Sequence, residues 1–139
     1  MRNIILDTNV LVAALRSQGG TAFKLVSLLE TSQKFRLHLT DSVLSEYQSV
    51  LLRPQIVPFL ASEINDFLDV ICAAADSHSV YFQWRPWLID TGDDRILEAA
   101  VASQSDSIVS FNMRDFRGVD QFGLRVLRPI EFLREIGEA

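Results

Sequence analysis

The chain has 139 residues, 48% of them hydrophobic and 22% charged, with a net charge of −5. That length suits one domain with its own core, expected over residues 1–139, and the balance excludes disordered and fibrous classes. The negative sign argues against a diffuse basic surface for a polyanion, unless the acids cluster, because eleven of the thirteen cations are Arg, the better bidentate phosphate ligand.

Asn3 to Leu6 is a continuous run that predicts a short strand buried on both faces, as in a parallel sheet. Val10 to Arg16 predicts a helix ended at Gly19-Gly20, and a second helix starts at Thr21 and carries Phe23, Val26, Leu28 and Leu29. Phe35, Leu37 and Leu39 alternate with Arg36 and His38, which predicts a second strand. Thr40 is placed to cap a helix from Asp41 to about Leu52 that Pro54 stops. Ser62 is the expected N-cap of a helix running through Ala75, with Ile64, Phe67, Leu68 and Ile71 as its apolar stripe.

Val80 to Phe82 is expected to be extended and Trp84 to Trp87 irregular. Thr91 is placed to cap a helix from Asp93 to about Gln104, followed by short strands at Ser107 to Ser110 and Arg125 to Leu127 and a last helix opened by Pro129. Short apolar strands that alternate with helices, without hairpin dipeptides between them, predict an α/β fold with a mainly parallel sheet covered on both faces. There is no internal repeat.

Cys72 has no partner for an internal disulfide and sits in an apolar run, where it is expected to act as a small hydrophobe. No apolar run approaches ~18 residues, and the stretch before Asp7 is too short for a signal peptide. A cytoplasmic protein without a membrane span is the expectation.

Ligands of open parallel sheets bind outside the carboxyl ends of the strands. Asp7 ends the first strand and Asp115 follows a later one, so both are candidates for that edge. On a helical wheel Glu46 borders the apolar arc of Val43, Leu44, Tyr47, Val50 and Leu51. Asp93 and Asp94 open a helix, where Thr91-x-x-Asp94 also reads as a capping box.

Each acid has an ordinary alternative reading, as a cap, a border residue or a loop residue. Brought together, they would repel one another unless they shared a divalent cation, and oxygen-only ligands suit a hard ion such as Mg2+ or Mn2+ rather than zinc. His38 and His78 lie outside these loops and are expected to be structural or surface residues.

The stretches "IILDTNVLVAAL", "LTDSVLSEYQSVL", "DTGDDRILEAAVASQSDSIVSFNMRDF" and "RVLRPIEFL" resemble, in order and over nearly the whole chain, the PIN-domain family of metal-dependent ribonucleases that includes VapC-type toxins. The resemblance implies a three-layer α/β/α sandwich and hydrolysis of RNA phosphodiester bonds. It also implies that Asp7, Glu46, Asp94 and Asp115 form the catalytic and metal-binding set for Mg2+ or Mn2+. Asp94 is preferred to Asp93 because the family's spacing from the third acid then lands on Asn112, and Asp93 is left a supporting role. Asn112 stands where many members carry an Asp, so the fourth negative charge falls to Asp115 in Arg114-Asp115-Phe116.

Thr8, Asn9 and Ser110 complete the supporting set. Arg16, Arg95, Arg114 and Arg117 neighbour the acids in sequence and are candidate contacts to RNA phosphates. The resemblance further implies an antitoxin protein partner and a homodimer, for which Tyr81, Phe82, Trp84 and Trp87 are candidate interface residues.

Two other readings stay open at this point. One is a PIN-like module that binds a protein and has lost catalysis. The other is a phosphohydrolase using Asp7 as nucleophile, although that class wants a second Asp where Asn9 stands.

Overall fold

A computed structural model describes residues 1–78, the backbone of 91–93, and residues 94–139. The expectations for Val80 to Phe82, for Trp84 to Trp87 and for the aromatic interface lie outside the described residues, as do the side chains of Thr91 and Asp93.

The chain runs β1 (Arg2–Leu6), α1 (Thr8–Arg16), α2 (Thr21–Ser27), β2 (Phe35–Thr40), α3 (Asp41–Leu51), α4 (Ala61–Ala74), β3 (Ala75–His78), α5 (Thr91–Ala102), β4 (Ser107–Val109), β5 (Arg125–Leu127) and α6 (Pro129–Glu135). Two short 3-10 turns, Met113–Phe116 and Val119–Phe122, join β4 to β5. The five strands pair in the order β3-β2-β1-β4-β5, every pair parallel. Parallel connections cross over right-handed, so winding outward from β1 to β3 and then back to β4 puts helices on both faces, an α/β/α sandwich.

Ile4, Ile5 and Leu6 have no exposed surface, as a strand covered on both faces requires. On one face Phe35 meets Phe132 of α6 edge-on at 5.3 Å between ring centres. Cys72 packs against this core as a partly buried hydrophobe. No helix among the described residues is long and apolar enough to cross a membrane.

Two sequence expectations shift. The helix α4 is capped at Leu60, not Ser62, because the Glu63 carboxylate reaches back and accepts from the Leu60 N–H at 2.9 Å. Ala75 leaves that helix and starts β3, which pairs with β2 through Leu37 to Thr40.

The amino edge of the sheet is tied by ion pairs. Arg125 and Arg2, at the starts of β5 and β1, both bond Glu135, and together they hold its carboxyl at about 2. These groups are partly exposed, and such pairs add little stability.

His38 and His78 form a structural pair. His38 Nε2 lies 2.8 Å from Asn3 Oδ1, which only accepts, so His38 Nδ1 is left to accept from His78 Nε2 at 2.7 Å. Burial and then the His78 ring push the His38 pKa below its ordinary value; Arg36 adds to this, while Asp76 and Asp106 oppose it. An unfolded His takes up a proton near pH ~6.5, and folded His38 takes it up less readily, so the unfolded state binds more protons and stability falls as pH drops through that value. The denaturant midpoint should therefore decline between about pH 7.5 and about pH 5, and His38→Gln should flatten that decline. An unchanged slope in the variant would show that the pair does not carry it.

Candidate active site

Strand β1 is the point from which the chain first winds one way to β2 and later returns on the other side as β4. Such a switch point opens a crevice at the carboxyl edge of the sheet. The register Leu6 with Val109 sends Asp7 and Ser110 out of their strands side by side. The Asp7 N–H donates to the Val109 carbonyl at 2.9 Å, and the Ser110 N–H donates to Leu127 at 2.9 Å. Backbone pairing thus sets where both side chains start.

Asp7 is 6% exposed and held at both oxygens. Oδ1 accepts from the Thr8 N–H at 2.7 Å, and Oδ2 accepts from the Ser110 hydroxyl at 2.7 Å. The Ser110 oxygen in turn accepts from the Asn112 N–H at 2.9 Å and the Asn9 amide at 3.3 Å. Asn9 Oδ1 closes the network by accepting from the Phe111 N–H at 3.3 Å. The sequence named Ser110 as a supporting residue; in the structure it is the hub that fixes Asp7.

Glu46 lies on α3 and is partly buried. Its Oε2 accepts from Arg95 Nη1 at 2.8 Å, a bond that ties α3 to α5. The next residue, Tyr47, is fully buried and donates its hydroxyl to the Leu6 carbonyl, which places α3 against the end of β1. Burial, and secondarily the nearby Asp7 charge, push the Tyr47 phenol far above its ordinary range.

Asp94 is fully buried in the first turn of α5, where the helix dipole favours a negative charge. Glu98, one turn later on the same helix and 3% exposed, escaped the sequence reading. Its i,i+4 spacing from Asp94 was the available signal.

Asp115 stands apart from the Asp7 network. It is exposed on the 3-10 turn, its N–H donates to the Asn112 carbonyl at 3.2 Å, and its side chain lines a cavity beside that turn. Arg16 donates its Nε to the Ile56 carbonyl at 2.7 Å, while Arg114 and Arg117 are exposed.

Among the described residues, no three His, Cys, Asp or Glu side chains stand close enough to enclose one ion. The donors are carboxylates, hydroxyls and amides, which fit a hydrated hard cation held through one or two carboxylates better than a closed protein cage.

Fold and site together define an α/β domain whose first strand, at the switch point of a parallel sheet, ends in a buried aspartate held at both oxygens. The PIN domain family model matches residues 3–114, and the chain belongs to that family. The match includes Asp7, Glu46 and Asp94 and ends one residue before Asp115. No curated protein matches the chain significantly in sequence.

Among solved structures, VapBC2 from Rickettsia felis bound to a DNA fragment from its promoter is similar, with 17% identity and a TM-score of 0.61 over 89% of this chain and 98% of that one. FitAB bound to an IR36 DNA fragment is similar too, with 18% identity and a TM-score of 0.58 over 91% and 94% of the two chains. At that identity the likeness is one of fold.

Proposed function

We propose that the protein is a ribonuclease dependent on Mg2+ or Mn2+ that hydrolyses RNA phosphodiester bonds as the toxin of a toxin–antitoxin pair in the cytoplasm. The observation that carries this reading is the buried Asp7 carboxylate, fixed by Ser110 across the β1/β4 switch point; Glu46 on α3 is tied to Arg95 of α5, the helix whose first turn carries buried Asp94. Asp7 and Asp94 would hold the principal ion and Glu46 would orient water, while Asp115, exposed on its 3-10 turn, would take part only through water; a bound ion supplies an activated water and stabilises charge on the attacked phosphate.

In this reading the chain's own groups do the positioning. Ser110 and the Thr8 N–H keep both Asp7 oxygens in place, and Asn9 and Asn112 hold Ser110. Arg95 sets the Glu46 rotamer, and Arg114 and Arg117 are exposed where they can meet phosphates. Asp93 is assigned a supporting part through a metal-bound water. The fold shared with VapBC2 and FitAB supports an antitoxin partner, and a homodimer belongs to the same proposal.

The test compares wild type and Asp94→Asn on defined RNAs with Mg2+, Mn2+ or EDTA. Cleavage should need the metal and fall in the variant; cleavage unaffected by EDTA would refute the reading.

A second reading, a PIN fold that binds a protein and no longer catalyses, is favoured by one observation: Arg95 already neutralises Glu46. Metal titration separates the two. An active pocket should gain about 2.7 kcal/mol of stability when Mn2+ is at 100 times its Kd, read as a rise in melting temperature. A degenerate pocket should show none.

A further inference from the structure

The residues after Ser110 carry a feature that the metal chemistry does not use. Phe111 and Met113 are 42% and 39% exposed, and with Asn112, Arg114, Asp115 and Arg128 they line an open cavity of about 440 Å³.

The backbone under the ring is fixed. The Phe111 N–H is bonded to Asn9 and the Asn112 N–H to Ser110, the residue that holds Asp7. The backbone at Phe111 is therefore fixed next to the Asp7–Ser110 network, while its side chain remains exposed.

The cations around it are available. Among the described residues, Arg114 has no carboxylate within ion-pair distance, and Arg128 bonds Glu131 through its backbone N–H at 2.9 Å and its Nε at 3.2 Å, which leaves both Nη groups for a ligand. An aromatic face stacks on a nucleobase of any identity, and a guanidinium matches a phosphate with paired hydrogen bonds. Two apolar side chains interrupted by charges form no continuous stripe for a partner helix, which favours a nucleotide over a protein here.

We infer that Phe111 is the stacking platform for one unpaired base of a single-stranded RNA next to the cleaved bond, with Arg114 and Arg128 gripping the phosphates that flank it. This rests on the nuclease reading above. A base can reach the ring only when it is out of a duplex stack.

The test walks one abasic residue along a single-stranded RNA. For wild type, kcat/KM should fall about tenfold when the stacked base is removed. Phe111→Ala should lose about the same on intact RNA and be indifferent to the abasic residue, and Phe111→Tyr should restore both the rate and the sensitivity. Equal slowing of intact and abasic RNA by Phe111→Ala would make the ring merely structural and overturn the inference. So would unchanged RNA kinetics combined with weakened binding of a protein partner.

If wild type cleaves no RNA, the nuclease reading fails and the base site is judged alone. RNAs carrying 2-aminopurine at successive positions are then bound in EDTA. Quenching at one position that Phe111→Ala abolishes supports the site, and no such position refutes it.

Discussion

Asp7→Asn is expected to lower Mn2+-dependent RNA cleavage by more than about 100-fold, since even groups that only orient a metal ligand cost about 10- to 100-fold when removed. The substitution keeps shape and removes charge. Asparagine retains an oxygen for the Thr8 N–H and caps a helix as well as aspartate does, so α1 keeps its start. Its amide would face Ser110, whose oxygen already accepts from Asn112 and Asn9 and has no lone pair left, so the Asp7–Ser110 bond is lost. Melting temperature should fall with the cost of that one buried hydrogen bond, about 1–3 kcal/mol, while activity collapses.

Ser110→Ala, which leaves the charge and removes the bond that orients it, should lose less, about 10- to 100-fold. Single-turnover cleavage at saturating Mn2+ reads the order. Wild-type rates in Asp7→Asn would make the metal assignment wrong.

What was legible in the sequence divides along a physical line. β1 could be read because its residues carry their burial in their own composition, and Ile4, Ile5 and Leu6 are indeed without exposure. β3 could not. Ala75-Asp76-Ser77-His78 has no β-branched residue and follows a helix rich in alanine, so local preference points the wrong way. What makes it a strand comes from forty residues earlier: pairing to β2, the Arg36–Asp76 ion pair and the His38–His78 contact. The two 3-10 turns were likewise invisible, lying in what reads as loop.

The site follows the same division. That an Asp ends the first strand is a local fact, and Asp7 stood out for it. That Ser110 grips it depends on the β1/β4 register, and that Arg95 pairs with Glu46 depends on how α3 meets α5. Neither relation is written in any short stretch of residues. The exposure of Phe111 is of the same kind, because an apolar residue after an apolar strand reads as more core until the sheet edge is known.

Tyr47 joins that core to that site, and its removal should have the largest effect on stability. The side chain is fully buried, and its hydroxyl donates to the carbonyl of Leu6, the residue before Asp7. With its pKa pushed above the ordinary range by burial, it remains a donor at neutral pH. Tyr47→Phe keeps the ring and deletes the donor, so it should cost about 1–3 kcal/mol, the penalty of leaving a buried acceptor unpaired. Tyr47→Ala also opens a cavity and should cost about 3–5 kcal/mol, as for other large aromatic truncations. Against a total of about 5–15 kcal/mol, the alanine variant gives up about a fifth or more of typical stability.

Urea unfolding should show both midpoints lowered at an unchanged slope. The phenylalanine variant has a second readout. Because Leu6 leads directly into Asp7, losing its anchor should slow RNA cleavage severalfold at temperatures where the variant is fully folded, since small misplacements at a reacting centre are costly. If Tyr47→Phe matched wild type in both midpoint and rate, the hydroxyl would be a passenger and α3 would hold Glu46 near Asp7 by ring packing alone.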